Sequence, residues 1–328
     1  MLFTITRINL FNFLEELAKK MPVYAPAQGR NIVLFKRMEN PREIELKQKP
    51  YYPIKDFFHK PKETLYEFDH SEITALKLPS AQRAFFGVRR CDLTALAHQK
   101  LVFYGNDPIF TAEVDRSLLL GYHCFSPPDE FCFCGNFAMK DNFDLMFYDE
   151  DEFLVVETGS PRGENIAISF QKYFRPRPGS VTEKEKKIPN TVKLKTTDIE
   201  QFYDSKKWFE GVQLCLSCGA CTAVCPTCYC FELKDELLIS DPKKGRKTRE
   251  WSSCQLESFT RVANDFIFRK ERAERFKHRI YHQMVYFKKE YSEILCTGCG
   301  RCIRACPTRI DWTKLVNNMI AGDSFNEK

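Results

Sequence analysis

Two stretches of this sequence share one spacing. Cys215-Leu-Ser-Cys218-Gly-Ala-Cys221-Thr-Ala-Val-Cys225-Pro226 and Cys296-Thr-Gly-Cys299-Gly-Arg-Cys302-Ile-Arg-Ala-Cys306-Pro307 both read C-x2-C-x2-C-x3-C-P, about 81 residues apart. That spacing is the ligand run of two-cluster [4Fe–4S] proteins, in which the fourth Cys of each run serves the other cluster. It has a physical cause. Three thiolates on one tight loop reach three irons of a cubane, and Gly219, Gly298 and Gly300 let the backbone curl toward the sulfurs. The pattern assigns Cys215, Cys218, Cys221 and Cys306 to one cluster, and Cys296, Cys299, Cys302 and Cys225 to the other. Zinc is the competing reading, but zinc usually takes separated pairs of ligands, and two unbroken runs each ending in Cys-Pro suit it badly.

The chain holds 15 cysteines, an odd and bunched set that fits a disulfide framework poorly. Four lie in the first half: Cys91, Cys124, Cys132 and Cys134. Cys91 and Cys124 each follow an apolar strand-like run, and strand ends converge at the ligand-binding edge of open α/β sheets. Cys132 and Cys134 sit on a Pro-rich loop that could fold back over that edge. Four thiols are the number a third [4Fe–4S] cluster needs; the alternative is a set of reduced or structural thiols. A His ligand from His98 or His123 is a lesser variant. Cys228, Cys230 and Cys254 complete the count, either as buried small apolar side chains or toward a further metal site for which they fall short of four ligands.

At 328 residues the chain is long enough for two domains. Residues 10–19 have helical apolar spacing, and residues 31–35, 84–88, 117–121 and 153–157 read as short strands. Residues 92–102 read as a helix with Asp92 as its N-cap, and residues 143–157 as a hairpin through Asp149–Asp151. Residues 175–195 are a polar Pro/Lys-rich linker or loop. Beyond about residue 200 the composition turns Cys-rich and helical, with one or two helices over 257–290 (Phe259, Val262, Phe266, Phe276, Ile280, Met284). The expected class is α+β: a mixed α/β platform over 1–200, followed by an all-helical dicluster ferredoxin domain over 201–328. No apolar run is long enough to span a membrane and no signal peptide is evident, which with the thiol content predicts a cytoplasmic protein.

The net charge of +6 is local. Residues 241–295 carry fourteen basic against eight acidic side chains, and the rest of the chain is balanced. Glu271 and Glu274 interleave with the basic residues at helical spacing, which predicts ion pairs on a solvated or subunit-facing helix and argues against nucleic-acid binding. His278 and His282 share a helix face but have no spaced partner, so packing is their expected role. Neither G-x-G-x-x-G after a strand nor a P-loop occurs, and no nucleophile elbow or H-E-x-x-H motif appears. The chain thus reads as a non-catalytic electron relay with no nucleotide or flavin site of its own, substrate chemistry lying on partner chains.

The chain resembles, over nearly its whole length, the β subunit of cytosolic NiFe sulfhydrogenases and the related electron-transfer subunit of anaerobic sulfite reductases. The segment Tyr51-Tyr-Pro-Ile-Lys-Asp-Phe-Phe-His-Lys-Pro-Lys-Glu-Thr-Leu is similar to that family's "FFFPPRETL", and Phe86-Gly-Val-Arg-Arg-Cys-Asp-Leu-Thr-Ala-Leu to "FGVRPCDLRAL". Cys124 with Phe131-Cys-Phe-Cys, Cys215–Cys230, Trp251-Ser-Ser-Cys254 and His278-Arg-Ile-Tyr-His282 follow the pattern too. Arg90 stands where the family often has Pro, and Gly135-Asn-Phe-Ala-Met-Lys replaces a more Gly-rich stretch. The resemblance implies a flavoprotein NAD(P)H-oxidoreductase partner and a catalytic metal partner. The expected complex is a NiFe (sulf)hydrogenase; the alternative is a sirohaem sulfite reductase.

Overall fold

The computed structural model describes residues 1–323, with side chains through residue 320. Twelve strands are present among them: β1 (Leu2–Thr6), β2 (Val23–Gln28), β3 (Val33–Arg37), β4 (Lys62–Asp69), β5 (Glu72–Ala75), β6 (Arg83–Val88), β7 (Ser117–Tyr122), β8 (Leu145–Glu150), β9 (Phe153–Thr158), β10 (Arg175–Arg177), β11 (Phe231–Leu238) and β12 (Asp241–Trp251). Eight of them form one sheet in the order β10-β1-β9-β8-β7-β6-β2-β3. Its centre, β2-β6-β7-β8, is parallel, and the flanking pairs are antiparallel. β6 and β7 are buried at all six positions each, because a central parallel strand is covered on both faces. That is why both read as continuous apolar runs in the sequence.

Helix α1 (Arg7–Lys20) covers one face through Phe13, Leu14 and Leu17, and Thr6 caps it by accepting from the Asn9 N–H. Helix α2 (Arg90–Phe103) and α3 (Pro108–Asp115) cover the other, with Leu93, Leu96, Phe103 and Phe110 against Phe85, Leu119 and Met146. The β8–β9 hairpin falls where expected, and α4 (Pro161–Ser169) follows it. Asp92 is not the N-cap of α2. Arg89 occupies that position, and Asp92 lies in the first turn with its carboxylate engaged elsewhere.

The C-terminal part contains α5 (Trp208–Leu214), α6 (Ala220–Ala223), α7 (Arg272–Tyr281), α8 (Phe287–Tyr291), α9 (Arg301–Arg304) and α10 (Trp312–Asp323). A π-helical turn, His282–Tyr286, joins α7 to α8. This part is not all-helical. β11 and β12 form a hairpin, and β12 pairs with β4 to complete a four-stranded antiparallel sheet, β11-β12-β4-β5. Residues 231–251 are rich in Leu, Lys and Glu, whose intrinsic preference is helical. Pairing with β4 overrides it. The cross-strand partners are charged: Lys62 with Glu236 and Glu250, Lys234 with Glu250, and Lys247 with Asp235. Buried Arg249 grips Glu63 at 2.7 Å and also pairs with Asp107. Within the basic segment Lys244, Arg246, Lys247 and Arg249 are thus paired with Asp69, Glu236, Asp235 and Glu63 on neighbouring strands.

The helical reading of 257–290 holds only from Arg272 on. Residues 258–265 form short 3-10 turns, and Val262 and Phe266 remain exposed. Glu271 and Glu274 do not run as an ion-pair ladder. They form a capping box at the start of α7, each side chain serving the other's backbone N–H.

Candidate metal centre

The two cysteine runs have the same local geometry. Cys215 ends α5; the chain then turns through Ser217 (φ 50°) and Gly219 (φ 76°) into α6, which carries Cys221. In the second run Gly298 (φ 61°) and Gly300 (φ 73°) turn the chain into α9, which carries Cys302. Equivalent N–H groups approach equivalent sulfurs: Ser217 N to Cys215 Sγ and Gly298 N to Cys296 Sγ, both 3.4 Å. Left-handed backbone at the turn exposes those N–H groups inward, and N–H donation to sulfur helps set the potential of a cluster.

All eight cysteines of the two runs line one cavity of about 90 Å³, together with Gln255, Arg279 and Gln283. Cys225 of the first run is electrostatically coupled to Cys296, Cys299 and Cys302 of the second. Burial pushes the Cys221 thiol up to about 11 and Cys302 to about 12. Arg279 points into this thiol wall, and its Nε has no hydrogen-bond partner among the described residues. Burial works against its charge, yet the surrounding sulfurs Cys225, Cys221 and Cys302 hold it firmly protonated. A buried cation facing thiols suits a group that is anionic once four thiolates hold it. Among the described residues no three His, Cys, Asp or Glu side chains converge on the point a single metal ion would occupy. The eight sulfurs line one shared space instead.

Cys91, Cys124, Cys132 and Cys134 also come together. They line a second cavity of about 40 Å³ with Lys49, Arg89 and Arg90. Cys91 lies in the first turn of α2 just past β6, and Cys124 two residues past β7, so both stand at the carboxyl edge of the parallel strands. Cys299 lines both cavities. The loop carrying Cys132 and Cys134 lies directly on the second run: Phe133 N donates to Gly298 O at 2.8 Å. A Cβ on Gly298 would fall 2.5 Å from Phe133 O, and one on Gly300 would strike Phe131 O. Only glycine leaves room for this approach.

Two buried groups lock the arrangement. Lys49 Nζ is 2.9 Å from Asp129, 3.3 Å from Cys132 Sγ and 2.5 Å from Cys299 O, so it bridges the two cavities. Arg301 and Asp92, both without solvent exposure, form a bidentate pair at 2.5 and 2.8 Å, and Arg301 Nε donates to Pro50 O. Asp92 thereby fixes α9 of the second run to α2 of the N-terminal sheet. The π-turn has a role too. Gln283 O accepts from Leu295 N and Cys296 N, while its side chain accepts from Thr227 beside Cys225. Sequence reasoning missed Lys49, Arg279 and Gln283; a lone Lys, Arg or Gln has no spacing to reveal it.

The remaining candidates sit elsewhere. Cys228, Cys230 and Cys254 line neither cavity, and the Cys230 thiol is in hydrogen-bond contact with the other two. His98 Nδ1 lies 3.2 Å from Leu295 O, and His123 packs on Tyr148 and Phe125; neither lines the second cavity. The rings of His278 and His282 stack at 5.7 Å, and burial lowers the two to about 3 and about 4. His282 Nε2 meets the Tyr229 hydroxyl at 3.2 Å. Both fill packing roles.

Comparison with known proteins agrees with this geometry. Residues 214–310 match the family model of the 4Fe-4S dicluster domain. The sulfhydrogenase 2 subunit beta of Pyrococcus furiosus is 29% identical over 96% of this chain and 96% of its own length. No helix among the described residues is long and apolar enough to cross a membrane. The chain thus carries a 4Fe-4S dicluster domain within a sequence similar, almost end to end, to a hydrogenase β subunit, and the two findings together support an iron–sulfur electron-transfer subunit.

Proposed function

We propose that this chain relays electrons between a flavoprotein that oxidises or reduces NAD(P)H and a catalytic metal subunit, and that it holds three [4Fe–4S] clusters. The observation that carries the reading is the pair of adjacent thiol-lined cavities sharing Cys299 as a wall. Cys215, Cys218, Cys221 and Cys306 form one ligand set; Cys296, Cys299, Cys302 and Cys225 form the second; Cys91, Cys124, Cys132 and Cys134 form the third. Such clusters, when bound, each carry single electrons at a potential set by charge, burial and hydrogen bonds to sulfur. The chain's own part is to supply those surroundings. Arg279 and Lys49 place positive charge against the sulfurs, and the N–H groups of Ser217 and Gly298 donate to them.

The sets are ordered along the molecule. Exposed Cys218 puts the first set at the surface, where a partner can approach. The second lies between it and the third, which sits on the N-terminal platform of residues 1–200. The near full-length similarity to a sulfhydrogenase subunit favours a NiFe (sulf)hydrogenase as the catalytic partner; sirohaem sulfite reductase is the second reading. Iron and acid-labile sulfide measured on anaerobically purified chain test the cluster count. About twelve irons support three cubanes; about eight remove the N-terminal set from the relay. Nickel in the co-purified complex separates the two partner readings.

A further inference from the structure

Twelve of the fifteen cysteines have been placed in the three ligand sets, leaving Cys228, Cys230 and Cys254. Cys230 immediately precedes β11, and Cys254 lies three residues beyond β12, so both stand at the open base of the hairpin. Ser252 N donates to Cys230 O at 3.0 Å, which continues the ladder one step past the Phe231–Trp251 pair. The Cys230 thiol lies within reach of a hydrogen bond with both Cys228 and Cys254. Cys228 and Cys254 are buried, whereas Cys230 is partly open to solvent. The three sulfurs form a short row with its middle member accessible.

We infer that this row is a thiol–disulfide site: Cys230 and Cys254 form a reversible disulfide across the hairpin base, and Cys228 is the thiol that resolves it. Oxidation joins the two sulfurs, releases both thiol protons, and passes two electrons to the S–S bond of a small-molecule disulfide, which becomes two thiols. In the resolving step the Cys228 sulfur attacks Cys230 Sγ, the Cys230–Cys254 bond breaks, and Cys254 takes the proton that Cys228 gives up; two small-molecule thiols then reduce the Cys228–Cys230 bond, supplying two electrons and two protons and becoming a disulfide themselves. Crowding favours the oxidised form. The Cys228 contact pulls the Cys230 thiol down, but the Cys254 sulfur and burial outweigh it and lift the thiol to about 11, so a thiolate is poorly accommodated there, while a disulfide carries no charge. A buried cation at the row is Lys55, whose Nζ lies 3.7 Å over the Trp251 ring and 3.4 Å from Ala223 O. It is coupled first to Cys228, and so stands beside the attacking sulfur.

The site uses none of the twelve candidate cluster ligands, and its test is independent of theirs. The folded full-length chain, purified anaerobically, is incubated in mixtures of oxidised and reduced glutathione. It is then quenched with acid and N-ethylmaleimide, digested without reductant, and read by mass spectrometry. The expected result is one peptide pair joining Cys230 to Cys254 that rises with the oxidised fraction and disappears in dithiothreitol. Cys254→Ser should divert the link to Cys228–Cys230. Cys228→Ser should leave the Cys230–Cys254 link in place and slow its reversal by about tenfold or more. Iron per chain should be the same in Cys230→Ser as in the parent. Free thiols at all three positions in every mixture would overturn the inference. So would a loss of about four irons in Cys230→Ser, which would make the row a cluster ligand set instead.

Discussion

Gly219 and Gly300 form a built-in comparison. Both are N-caps of the short helix inside a cysteine run, with φ of 76° and 73°. Alanine at either position meets the same backbone penalty, about 1–2 kcal/mol for an L-residue held left-handed. Their surroundings differ. A Cβ on Gly219 would find Ser253 Oγ at 3.2 Å, the tip of a small side chain that can turn away. A Cβ on Gly300 would run into the backbone carbonyl of Phe131, which moves only if the loop bearing Cys132 and Cys134 lifts off the second run. We therefore expect Gly219→Ala to lower the thermal midpoint by about 2–8 °C, taking about 2–4 °C per kcal/mol, an upper figure for a chain of this length. Gly300→Ala should lower it at least twice as far, and amide exchange at Phe133, which donates to Gly298 O, should rise selectively. Equal shifts in both variants, with Phe133 protection unchanged, would refute the claim that the loop is seated on the second run.

Four further outcomes follow from the same structure. Asp92→Asn, which leaves Arg301 buried and uncompensated, should cost about 3–5 kcal/mol in denaturant unfolding. The double variant with Arg301→Met should cost much less than the sum of the singles; additivity would deny the pair. His59 is 1% exposed, and burial, then Lys55 and Arg249, lower it to about 3. Folded protein keeps it neutral while unfolded chain takes up a proton below about 6.5, so its contribution falls as pH drops from about 6.5 toward 3. At pH 4.5 the loss is at most about 2.7 kcal/mol. His59→Phe should flatten the pH dependence of the thermal midpoint over that window, and an unchanged slope would count against it. Arg249→Met strands Glu63 in the sheet core and should speed amide exchange in both β4 and β12; exchange confined to β12 would contradict the shared sheet. Cys218→Ala or Cys299→Ala should stop electron transfer through the complex while dye-linked activity of the isolated partner persists, and coupled turnover surviving both changes would end the relay reading.

What the sequence revealed and what it hid divide along physical lines. The cysteine runs were legible because ligand spacing is a local property. The parallel strands were legible because burial on both faces writes a continuous apolar run, as in Phe85-Phe86 and Leu118-Leu119-Leu120. The hairpin at 231–251 was not. Its residues prefer helix, and the partner that makes it a strand is remote in sequence. Asp92 misled for a related reason: an acidic residue at a helix start reads as a cap, and its actual partner, Arg301, lies 209 positions away. The π-turn at His282–Tyr286 leaves no mark in apolar periodicity, yet it frees the Gln283 carbonyl that holds the start of the second run.

The four-stranded sheet also bears on synthesis. Glu63 of β4 and Arg249 of β12 are 186 residues apart. At about 5–20 residues per second, β4 and β5 wait on the order of 10–40 s after they emerge before their partners exist. During that interval β4 offers an unpaired edge that another chain could join. Its alternating charges, Lys62, Glu63 and Glu67 among them, are what a nascent edge needs to stay unpaired until its own hairpin arrives. Neither half expressed alone would close this sheet, so β4 finds its partner only after the strand ending at Trp251 has emerged.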